Sequence, residues 1–484
     1  TGRLVGFHLQ ATDGQEAPAV TVYPPGGPAR EGLIRFGEVE KPGSIPSYRL
    51  WMTQATFDGW TARHKLDNTP SEITFVLGNQ RVVHQVQAAF AGSPYIAPSF
   101  NTPAGRRCGY SIEFPSDDRF LGNTDLVLDW PGGHGNENTA VQEQMAYWLA
   151  DGMGLPFSLR HYIRLTVNGV TDMQRGGVFE AIIQPNRDFV RAWSPDDAEG
   201  ELYKIDRAFE FNDGGGMSAD PMPTLEVFAT TGGAKKTARY RWNWLKRSYD
   251  SAREYTNLFA LVDAVNAASP EPYTSATTAL VELEDWMGMF AFEHIINNFD
   301  SWGHDIGKNM YVYKPVTGRW QLYAFDLDWL MLVAAQRYSA SNGPLFASQD
   351  PTVSRMYQHP PFRRAYFRAV EAALEPMAAE NCGPVMDAKY RWLVDEGVTM
   401  CDGATLAAPT AVKQWFAQRR TYLQNQLATV AARFAINGPA SFVSSTNPVV
   451  LTGTAPVEVK SIRVNGLGVE PTWTSVTEIG RAHV

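Results

Sequence analysis

The spacing of apolar residues changes once along the chain, and this change constrains the fold more than any other feature. Over residues 48–182, short apolar runs alternate with polar residues at the period of two that β-strands require. Over residues 237–434 the spacing is mostly helical, apart from one strand-turn-strand segment at 309–325. A β-rich part followed by a helical part that contains one hairpin predicts an α+β fold.

Turn residues divide the β-rich part into predicted hairpins. The apolar runs Glu72–Leu77 and Arg81–Ala88 flank the polar pair Asn79-Gln80, which favours a β-hairpin. A second hairpin is predicted around Asn168-Gly169, because Asn-Gly between apolar runs suits a tight turn. Gly109–Phe114 alternates with period two and is predicted to be a further strand.

One helix is predicted within the β-rich part, from Thr139 to Asp151. Asn138 or Thr139 is expected to cap its first turn, because both side chains carry an oxygen that accepts backbone N–H groups. Gly152 and Gly154 are expected to end it.

Composition excludes several classes of protein. The net charge of −9 (42 basic minus 51 acidic residues) argues against a general nucleic-acid binder, which normally presents a basic face. No segment reaches the roughly 18 consecutive apolar residues that a membrane span needs, so none is expected in this chain. The cysteines Cys108, Cys382 and Cys401 fit neither a zinc site nor a disulfide framework, and either a Cys382–Cys401 bridge or unpaired thiols remain open.

The two ends differ in composition from the middle. Residues 1–45 are rich in Pro and Gly and are predicted to be a linker or the tail of an upstream domain. Residues 437–477 carry short strand signals between Gly and Pro turns, which indicates the start of a truncated β-sandwich module. Residues 478–484 back-translate to a common sequencing-adapter sequence, so the natural chain is expected to continue beyond 477.

The densest group of polar residues is Asn297–Asn309, which follows an apolar helical run and precedes the hairpin ending in Asp326-Leu-Asp328. Phosphoryl transfer requires an Asp that accepts the proton of the attacking hydroxyl, and an Asn and a further Asp that hold Mg²⁺ on the phosphates. Asp-x-Asp also occurs in plain turns and in calcium loops, so a structural role or a calcium site stays open from spacing alone.

Several motifs in one order resemble the CotH (spore coat protein H) kinase family, from about Tyr48 to Phe434. In the helical part they are Asn298-Phe-Asp300, Lys308-Asn309-Met-Tyr-Val-Tyr, Arg319-Trp320 and Phe325-Asp326-Leu-Asp328-Trp329. In the β-rich part they are Phe75-Val-Leu-Gly, Gly92-Ser93, Tyr110-Ser-Ile-Glu-Phe, Gly154-Leu-Pro, Val167-Asn168-Gly169, Glu180 and Gly200-Glu-Leu-Tyr-Lys204.

The resemblance implies an atypical protein-kinase-like fold over residues 46–436, with a β-rich N-lobe and a helical C-lobe. It implies ATP and Mg²⁺ (or Mn²⁺) as cofactors. By position in the motifs, Asp300 is expected to be the catalytic Asp, while Asp326, Asp328 and Asn309 are expected to hold the metal.

Three further residues take roles from the same resemblance. Lys204 is expected to reach the phosphates, and Glu180 is expected to lie in the nucleotide cleft. Where the family has a Lys-rich strand this chain has Arg106-Arg107, so Arg107 stands in for the phosphate-contacting Lys. Arg and Lys are not interchangeable at such positions, because Arg binds phosphate as a planar fork.

The resemblance implies a kinase that phosphorylates Ser or another hydroxyl on an extracellular or surface protein. Members of the family phosphorylate Ser on spore coat proteins, and others are surface proteins. The alternative is a pseudokinase domain that serves as a binding or assembly module of a large surface protein, which the change at Arg107 favours. A calcium-stabilised structural domain is the third reading.

Overall fold

The computed structural model describes residues 43–63, 69–78, 80–91, 109–131, 137–171, 176–207, 221–247, 254–268, 270–439 and 449–483, with short strands and single positions outside these ranges. Arg107, Cys108 and the Gly92–Pro94 turn lie outside the described residues. In the first 42 residues, four short strands pair as β1 with β4 and β2 with β3: β1 Arg3–Phe7, β2 Leu9–Thr12, β3 Val20–Tyr23 and β4 Gly32–Phe36. The assignment of residues 1–45 to a linker or an upstream domain stays a prediction.

The next seven strands close into a barrel in the order β10-β11-β9-β8-β7-β6-β5. Their bounds are β5 Ser47–Trp51, β6 Ser71–Leu77, β7 Arg81–Ala91, β8 Gly109–Glu113, β9 Asp125–Asp129, β10 Arg160–Val167 and β11 Val178–Ile182. All neighbours are antiparallel except β10 and β5, whose parallel pairing closes the barrel. The hairpins predicted around positions 79–80 and 168–169 are confirmed as β6–β7 and β10–β11.

Alternate residues of the barrel strands point inward and form one apolar core, as the period of two requires. This core is rich in aromatic rings. Helix α1, Gln54–Ala62, adds Trp60, whose ring stacks on Tyr110. Large rings fill the interior of a small barrel efficiently, because each buries a wide apolar area.

A four-stranded sheet, ordered β15-β12-β16-β17, separates the barrel core from a second core. Its strands are β12 Glu201–Ile205, β15 Trp244–Lys246, β16 Met310–Lys314 and β17 Gln321–Ala324, and the short pair β13 Phe209–Phe211 and β14 Met217–Ala219 lies between them in sequence. Tyr203 and Val312 pack into the helical core, whereas Leu202, Tyr311 and Tyr313 pack into the barrel core. The sheet therefore joins the β-rich and the helical parts through both faces.

Helices build the second core. Their bounds are α2 Gln142–Gly152, α3 Arg187–Trp193, α4 Thr237–Asn243, α5 Thr256–Val265, α6 Pro270–Leu280, α7 Leu283–Ile295, α8 Pro351–Gln358, α9 Pro360–Leu374, α10 Ala379–Asp395 and α11 Thr410–Ala428, with 3₁₀ turns at Pro195–Asp197 and Val333–Gln336. From Trp286 onward every residue of α7 is buried, so this helix forms the centre of the core. The loop that follows α7 is therefore anchored at a rigid point.

The α+β class is confirmed, whereas closure of the β-rich part into a barrel is a feature that the sequence patterns did not predict. The kinase-like two-lobed arrangement stays a prediction.

The predicted helix at 139–151 is found as α2, but its cap is wrong: Val141 precedes the helix and makes no side-chain cap bond. Cys382 and Cys401 are both unpaired buried thiols, in different cores.

Two short paired strands lie between α10 and α11: β18 Met400–Cys401 and β19 Ala404–Thr405. The strands described after α11 are β20 Ala435–Ile436, β21 Val450–Thr454, β22 Ile462–Val464, β23 Leu467–Val469, β24 Thr472–Trp473 and β25 Glu478–His483. The last part is a sheet ordered β20-β21-β25-β24 with a separate pair β22–β23. Arg364 of α9 holds it, donating to the carbonyls of Pro456 and Val459 at 2.7 and 2.8 Å. Its assignment to a β-sandwich module stays a prediction.

Within the described part of the chain, no helix has the length and hydropathy needed to cross a membrane.

Candidate functional site

The hairpin β16–β17 brings two distant polar segments together at its open end. Asn309 immediately precedes β16, and Asp326 follows β17 by two residues. Antiparallel pairing places the residue before the first strand beside the residue after the second, and the N–H of Phe325 donates to the carbonyl of Asn309 at 3.2 Å. The loop that carries Asp300 and the Asp326-Leu-Asp328 segment therefore meet.

Both residues at this point have left-handed backbone conformations. Asn309 has a φ of 57° and Asp326 a φ of 60°. Such a conformation costs a non-glycine residue on the order of 1 kcal/mol and is found often at functional sites. Asn and Asp tolerate it better than other residues, which explains why these residue types stand here.

Asp300 is buried and its Oδ2 is held by two neighbours. Lys308 Nζ lies 2.7 Å from this oxygen, and Asn309 Nδ2 donates to it at 3.0 Å. Asn298 accepts the N–H of Asp300 at 3.3 Å and is itself bonded to Glu293 of α7 at 2.8 Å. The buried helix thus fixes the position of the Asp300 carboxylate.

Burial, with smaller contributions from the charges of Asp328 and Asp326, raises the pKa of Asp300 to about 7, although Lys308 lowers it. The influence of both carboxylates on Asp300 shows that the three acidic side chains share one region. A carboxylate whose pKa lies near neutral pH is suited to accept a proton in a reaction.

Asp326 and Asp328 form a like-charged pair, and both residues are half-buried. Burial, and then the charge of Asp326, raise the pKa of Asp328 to about 8, while Lys308 and Arg160 lower it. Burial, and then the charges of Asp326, Glu143 and Asp328, raise the pKa of Asp129 at the end of β9. The site therefore has an excess of negative charge, which favours a cation.

A buried ion-pair network adjoins this acidic region. Arg160 Nη1 lies 2.9 Å from Glu143 Oε2 and 2.6 Å from Glu180 Oε2. Gln144 Nε2 donates to the other oxygen of Glu180 at 2.7 Å. Burial, with the charges of Glu180, Asp328 and Asp326, raises the pKa of Glu143 to about 8, although Arg160 lowers it. The network thus connects the barrel and α2 to the Asp326–Asp328 pair.

Four of these residues were missing from the sequence-based site: Lys308, Asp129, Glu143 and Arg160. Lys308 stood in the motif beside Asn309 without a role. Arg160 begins strand β10, where it is buried, and a buried charge requires a partner. That signal indicates a buried ion pair, but it does not identify the partner on α2.

Lys204 and Glu180, the other described residues predicted for the site, bind partners other than Asp300. Lys204 of β12 lies opposite Tyr311, and its Nζ is 2.8 Å from Asp206 Oδ2. Burial, together with the carboxylates of Asp206 and Asp326, raises the pKa of Tyr311, so Tyr311 lies within electrostatic range of both. Glu180 is buried with both oxygens bonded inside the protein, and its place in a nucleotide cleft stays a prediction.

The donor set fits a divalent cation that is shared with a phosphate. Within the described residues, no three His, Cys, Asp or Glu side chains form a group able to hold one metal ion. Mg²⁺ in phosphotransfer sites is usually held by one or two carboxylates, with phosphate and water completing its shell. Asp326 and Asp328 supply two carboxylates, and Asn309 supplies an amide Oδ1 while its Nδ2 binds Asp300.

A family model described as CotH kinase protein matches residues 104–423. The match covers more than half of the 484 residues, and it includes the Asp300 loop and the Asp326–Asp328 segment. The chain therefore belongs to the CotH kinase protein family. A comparison with curated proteins finds no match.

Proposed function

We propose that the chain is an ATP- and divalent-cation-dependent kinase that transfers phosphate to a Ser or another hydroxyl group on an extracellular or surface protein. The observation that carries the proposal is the position of Asp300. It is held by Lys308 and Asn309 at the end of the hairpin that also presents Asp326 and Asp328. Membership of the CotH kinase protein family supports the same chemistry.

Asp300 is the proton acceptor in this proposal. The acceptor hydroxyl gives its proton to the Asp300 carboxylate as its oxygen bonds to the terminal phosphorus, and the bond from that phosphorus to the departing ADP oxygen breaks. Lys308, bonded to Asp300 at 2.7 Å, orients the carboxylate and places positive charge where the phosphate oxygens gather.

Asp326, Asp328 and Asn309 are the cation ligands in this proposal. Their oxygens are hard donors of the kind that Mg²⁺ and Mn²⁺ prefer. A bound cation would neutralise charge on the phosphates of ATP. The chain itself holds these ligands in place through the strained backbone at Asn309 and Asp326, which the hairpin pairing maintains.

Lys204 is the candidate phosphate contact on the sheet side. It lies on β12, which pairs with β16, the strand that follows Asn309. Lys204 is directly opposite Tyr311, so both side chains lie on the face of the sheet that is turned toward the barrel. Its ion pair with Asp206 would exchange for a phosphate oxygen when nucleotide binds. The role of Arg107 as a second phosphate contact rests on the family resemblance alone.

The experiment is transfer of radiolabelled phosphate from ATP, with Mg²⁺ or Mn²⁺, to dephosphorylated casein and to the chain itself. The parent is expected to label at least one acceptor on Ser, and the Asp300→Asn variant is expected to label neither. A parent that binds ATP with Mg²⁺ but labels no protein would contradict the kinase proposal and support the binding-module alternative.

A further inference from the structure

The stretch from Met331 to Gln349, here called the connecting segment, leads from the Asp-x-Asp motif to α8. Backbone bonds attach it at both ends to the Asp300 loop, which joins α7 to β16. The N–H of Met331 donates to the carbonyl of Ile296 at 2.9 Å. The N–H of Gln349 donates to the carbonyl of His304 at 3.1 Å. The connecting segment and the Asp300 loop are therefore held side by side.

Arg419 of α11 joins the connecting segment to the helix end from which the Asp300 loop starts, and its side chain is fully buried. Its Nη1 donates to the carbonyls of Ala340 and Gly343 in the connecting segment, at 3.2 and 2.8 Å. Its Nε and Nη2 donate to the carbonyls of Ile295 and His294 at the end of α7, at 3.0 and 2.6 Å. A guanidinium can bond four oxygens at once because its donors lie in one rigid plane, so Arg419 fixes the distance between the two stretches.

The charge of Arg419 suits this role. Carbonyls in the last turn of a helix lack partners within the helix, and a cation there is electrostatically favourable. Within the described part of the chain, Arg419 forms no ion pair with a carboxylate, so carbonyl dipoles compensate its charge. A buried charge that loses its partners is costly, so moving either stretch away from Arg419 is unfavourable.

Gly343 shows how closely the two stretches approach. A Cβ atom at this position would lie 2.0 Å from Oδ1 of Asn297 in the Asp300 loop, far inside van der Waals contact. The Nδ2 of Asn297 donates to the carbonyl of Ser339 at 3.1 Å, which is a further bond to the connecting segment. The amide of Asn297 therefore fills the space between the stretches, and position 343 accepts only glycine unless one of them moves.

We infer that Arg419 is a positioning residue that holds the Asp300 loop and the connecting segment in one arrangement, so that the proposed kinase site is assembled before any ligand binds or any residue is modified. In protein kinases, the segment that follows the metal-binding Asp often becomes ordered only when phosphorylation gives an arginine its partner. In this chain the carbonyls of Ala340 and Gly343 already supply such partners. The effect on phosphate transfer rests on the proposed function, whereas the arrangement of the two stretches does not.

Gly343→Ala tests the arrangement without changing a charge or a proposed site residue. Its Cβ should push the connecting segment away from Asn297, so amide hydrogen exchange in residues 294–305 and 331–349 should become about tenfold faster or more. Gly383→Ala on α10, whose added Cβ meets no atom within 4 Å, is the matched control and should leave that exchange unchanged. Exchange in Gly343→Ala that is as slow as in the parent would overturn the inference.

Arg419→Lys tests the arginine itself. Lysine keeps the positive charge, but its single nitrogen has three donors and cannot bond all four carbonyls. Exchange in the same residues should become about tenfold faster or more. The kcat of phosphate transfer should fall about tenfold or more while the ATP affinity changes less than about threefold, because Asp300 is displaced from the reacting hydroxyl. Parent-like exchange and kcat in Arg419→Lys would show that Arg419 positions nothing.

The double variant Gly343→Ala/Asn297→Gly keeps the test decisive if Arg419→Lys fails to fold. It removes the amide that the added Cβ would meet, and glycine accepts the φ of 58° at position 297. Arg419 can then recover its four carbonyls, so slow exchange and the kcat should return toward those of the parent. No recovery would mean that the Asn297 bond, rather than Arg419, holds the two stretches, which overturns the inference.

Phosphatase treatment tests whether the site needs a modification. The parent, treated and then freed of phosphatase, should transfer phosphate at its original rate, and a large loss of activity would overturn the inference. If the parent transfers no phosphate at all, the kinase proposal fails. The exchange of Gly343→Ala and Arg419→Lys then still decides whether Arg419 positions the two stretches.

Discussion

Lys308 Nζ and Asp300 Oδ2 lie 2.7 Å apart and form an ion pair across the loop that joins α7 to β16. The N–H of Trp302 donates to the carbonyl of Lys308 at 3.0 Å, which closes the same loop through the backbone. The pair therefore has two consequences. It compensates a buried carboxylate, and it sets the orientation of the residue to which we assign proton transfer.

Replacing Lys308 should destabilise the protein in a pH-dependent way. Lys308→Met leaves the Asp300 carboxylate buried with Asn309 as its remaining partner in the loop, and the expected loss is about 1–3 kcal/mol in the free energy of unfolding at pH 9. At pH 5 the loss should be smaller, because Asp300, whose pKa is about 7, is then protonated. Urea denaturation at both pH values measures this difference.

The double variant Lys308→Met/Asp300→Asn supplies the control for that pair. It removes the charge that Lys308→Met leaves uncompensated, so part of the lost stability should return at pH 9. Strictly additive losses for the two substitutions would show that the 2.7 Å contact contributes no coupling energy.

Asp300 and Lys204 should separate chemistry from binding. Asp300→Asn should bind ATP with nearly the parent's affinity and transfer phosphate at about a hundredth of the parent rate or less, the usual order for a lost general base. Lys204→Ala should instead weaken ATP binding, because its ammonium is expected to contact phosphate in the ground state. Single-turnover transfer and equilibrium titration distinguish the two.

Asp387→Asn is the matched control for these substitutions. Asp387 is a partly exposed residue of α10 that pairs with Lys413, away from the hairpin. It should change neither affinity nor transfer rate. If Asp300→Asn abolished ATP binding as completely as Lys204→Ala, the division of roles between these residues would be wrong.

Asp328→Asn should stabilise the metal-free protein while weakening the metal site. Burial and the charge of Asp326 raise the pKa of Asp328 to about 8, so its ionised form is unfavourable in the fold. At pH 9 the variant should therefore be more stable than the parent by about 1 kcal/mol or more. A thermal scan without divalent cations measures this, and a less stable variant at pH 9 would contradict the like-charge repulsion between Asp326 and Asp328.

Glu293 on α7 should make stability fall as pH rises. Burial, and to a smaller extent the charge of Asp300, raise its pKa from 4.5 to about 8, while the bond from Asn298 lowers it. Because the folded-state pKa is above the unfolded one, this stability is fully present below about pH 4.5 and is lost as pH rises through 8.

The isosteric Glu293→Gln variant removes this titration. It should match the parent near pH 5 and exceed it by roughly 2–4 kcal/mol at pH 9. Urea midpoints across that range are the measurement. Parallel pH profiles for parent and variant would mean that Glu293 ionises without cost in the fold.

The sequence was informative where the pattern is local. Period-two alternation and the turn pairs at 79–80 and 168–169 correctly predicted the hairpins, because strand pairing across a short turn needs only neighbouring residues. Closure of the barrel depends on the parallel pairing of β10 with β5, strands separated by more than a hundred residues, and no local pattern encodes it.

The sequence placed Asp300, Asn309, Asp326 and Asp328 in motifs around one hairpin, and the structure shows that hairpin with Asn309 bonded to Asp300 at its end. The roles of the four residues stay predictions. Arg160 and Glu143 reach the site from a barrel strand and from α2, and only the packing of those elements makes them neighbours. The helix cap at Thr139 was mispredicted because α2 begins at Gln142, so Val141 occupies the cap position and Thr139 lies two residues before it.

Calorimetric titration of ATP into the parent and into the Asp326→Asn/Asp328→Asn double variant, each with Mg²⁺ and with EDTA, measures whether nucleotide binding needs a cation held by these two carboxylates. We expect the parent to bind ATP with Mg²⁺, and the affinity to be at least about tenfold lower (on the order of 1.4 kcal/mol) in EDTA or in the double variant. Binding of equal strength in EDTA, or a double variant that binds ATP with Mg²⁺ as tightly as the parent, would contradict the assignment of these carboxylates to a nucleotide-bound cation.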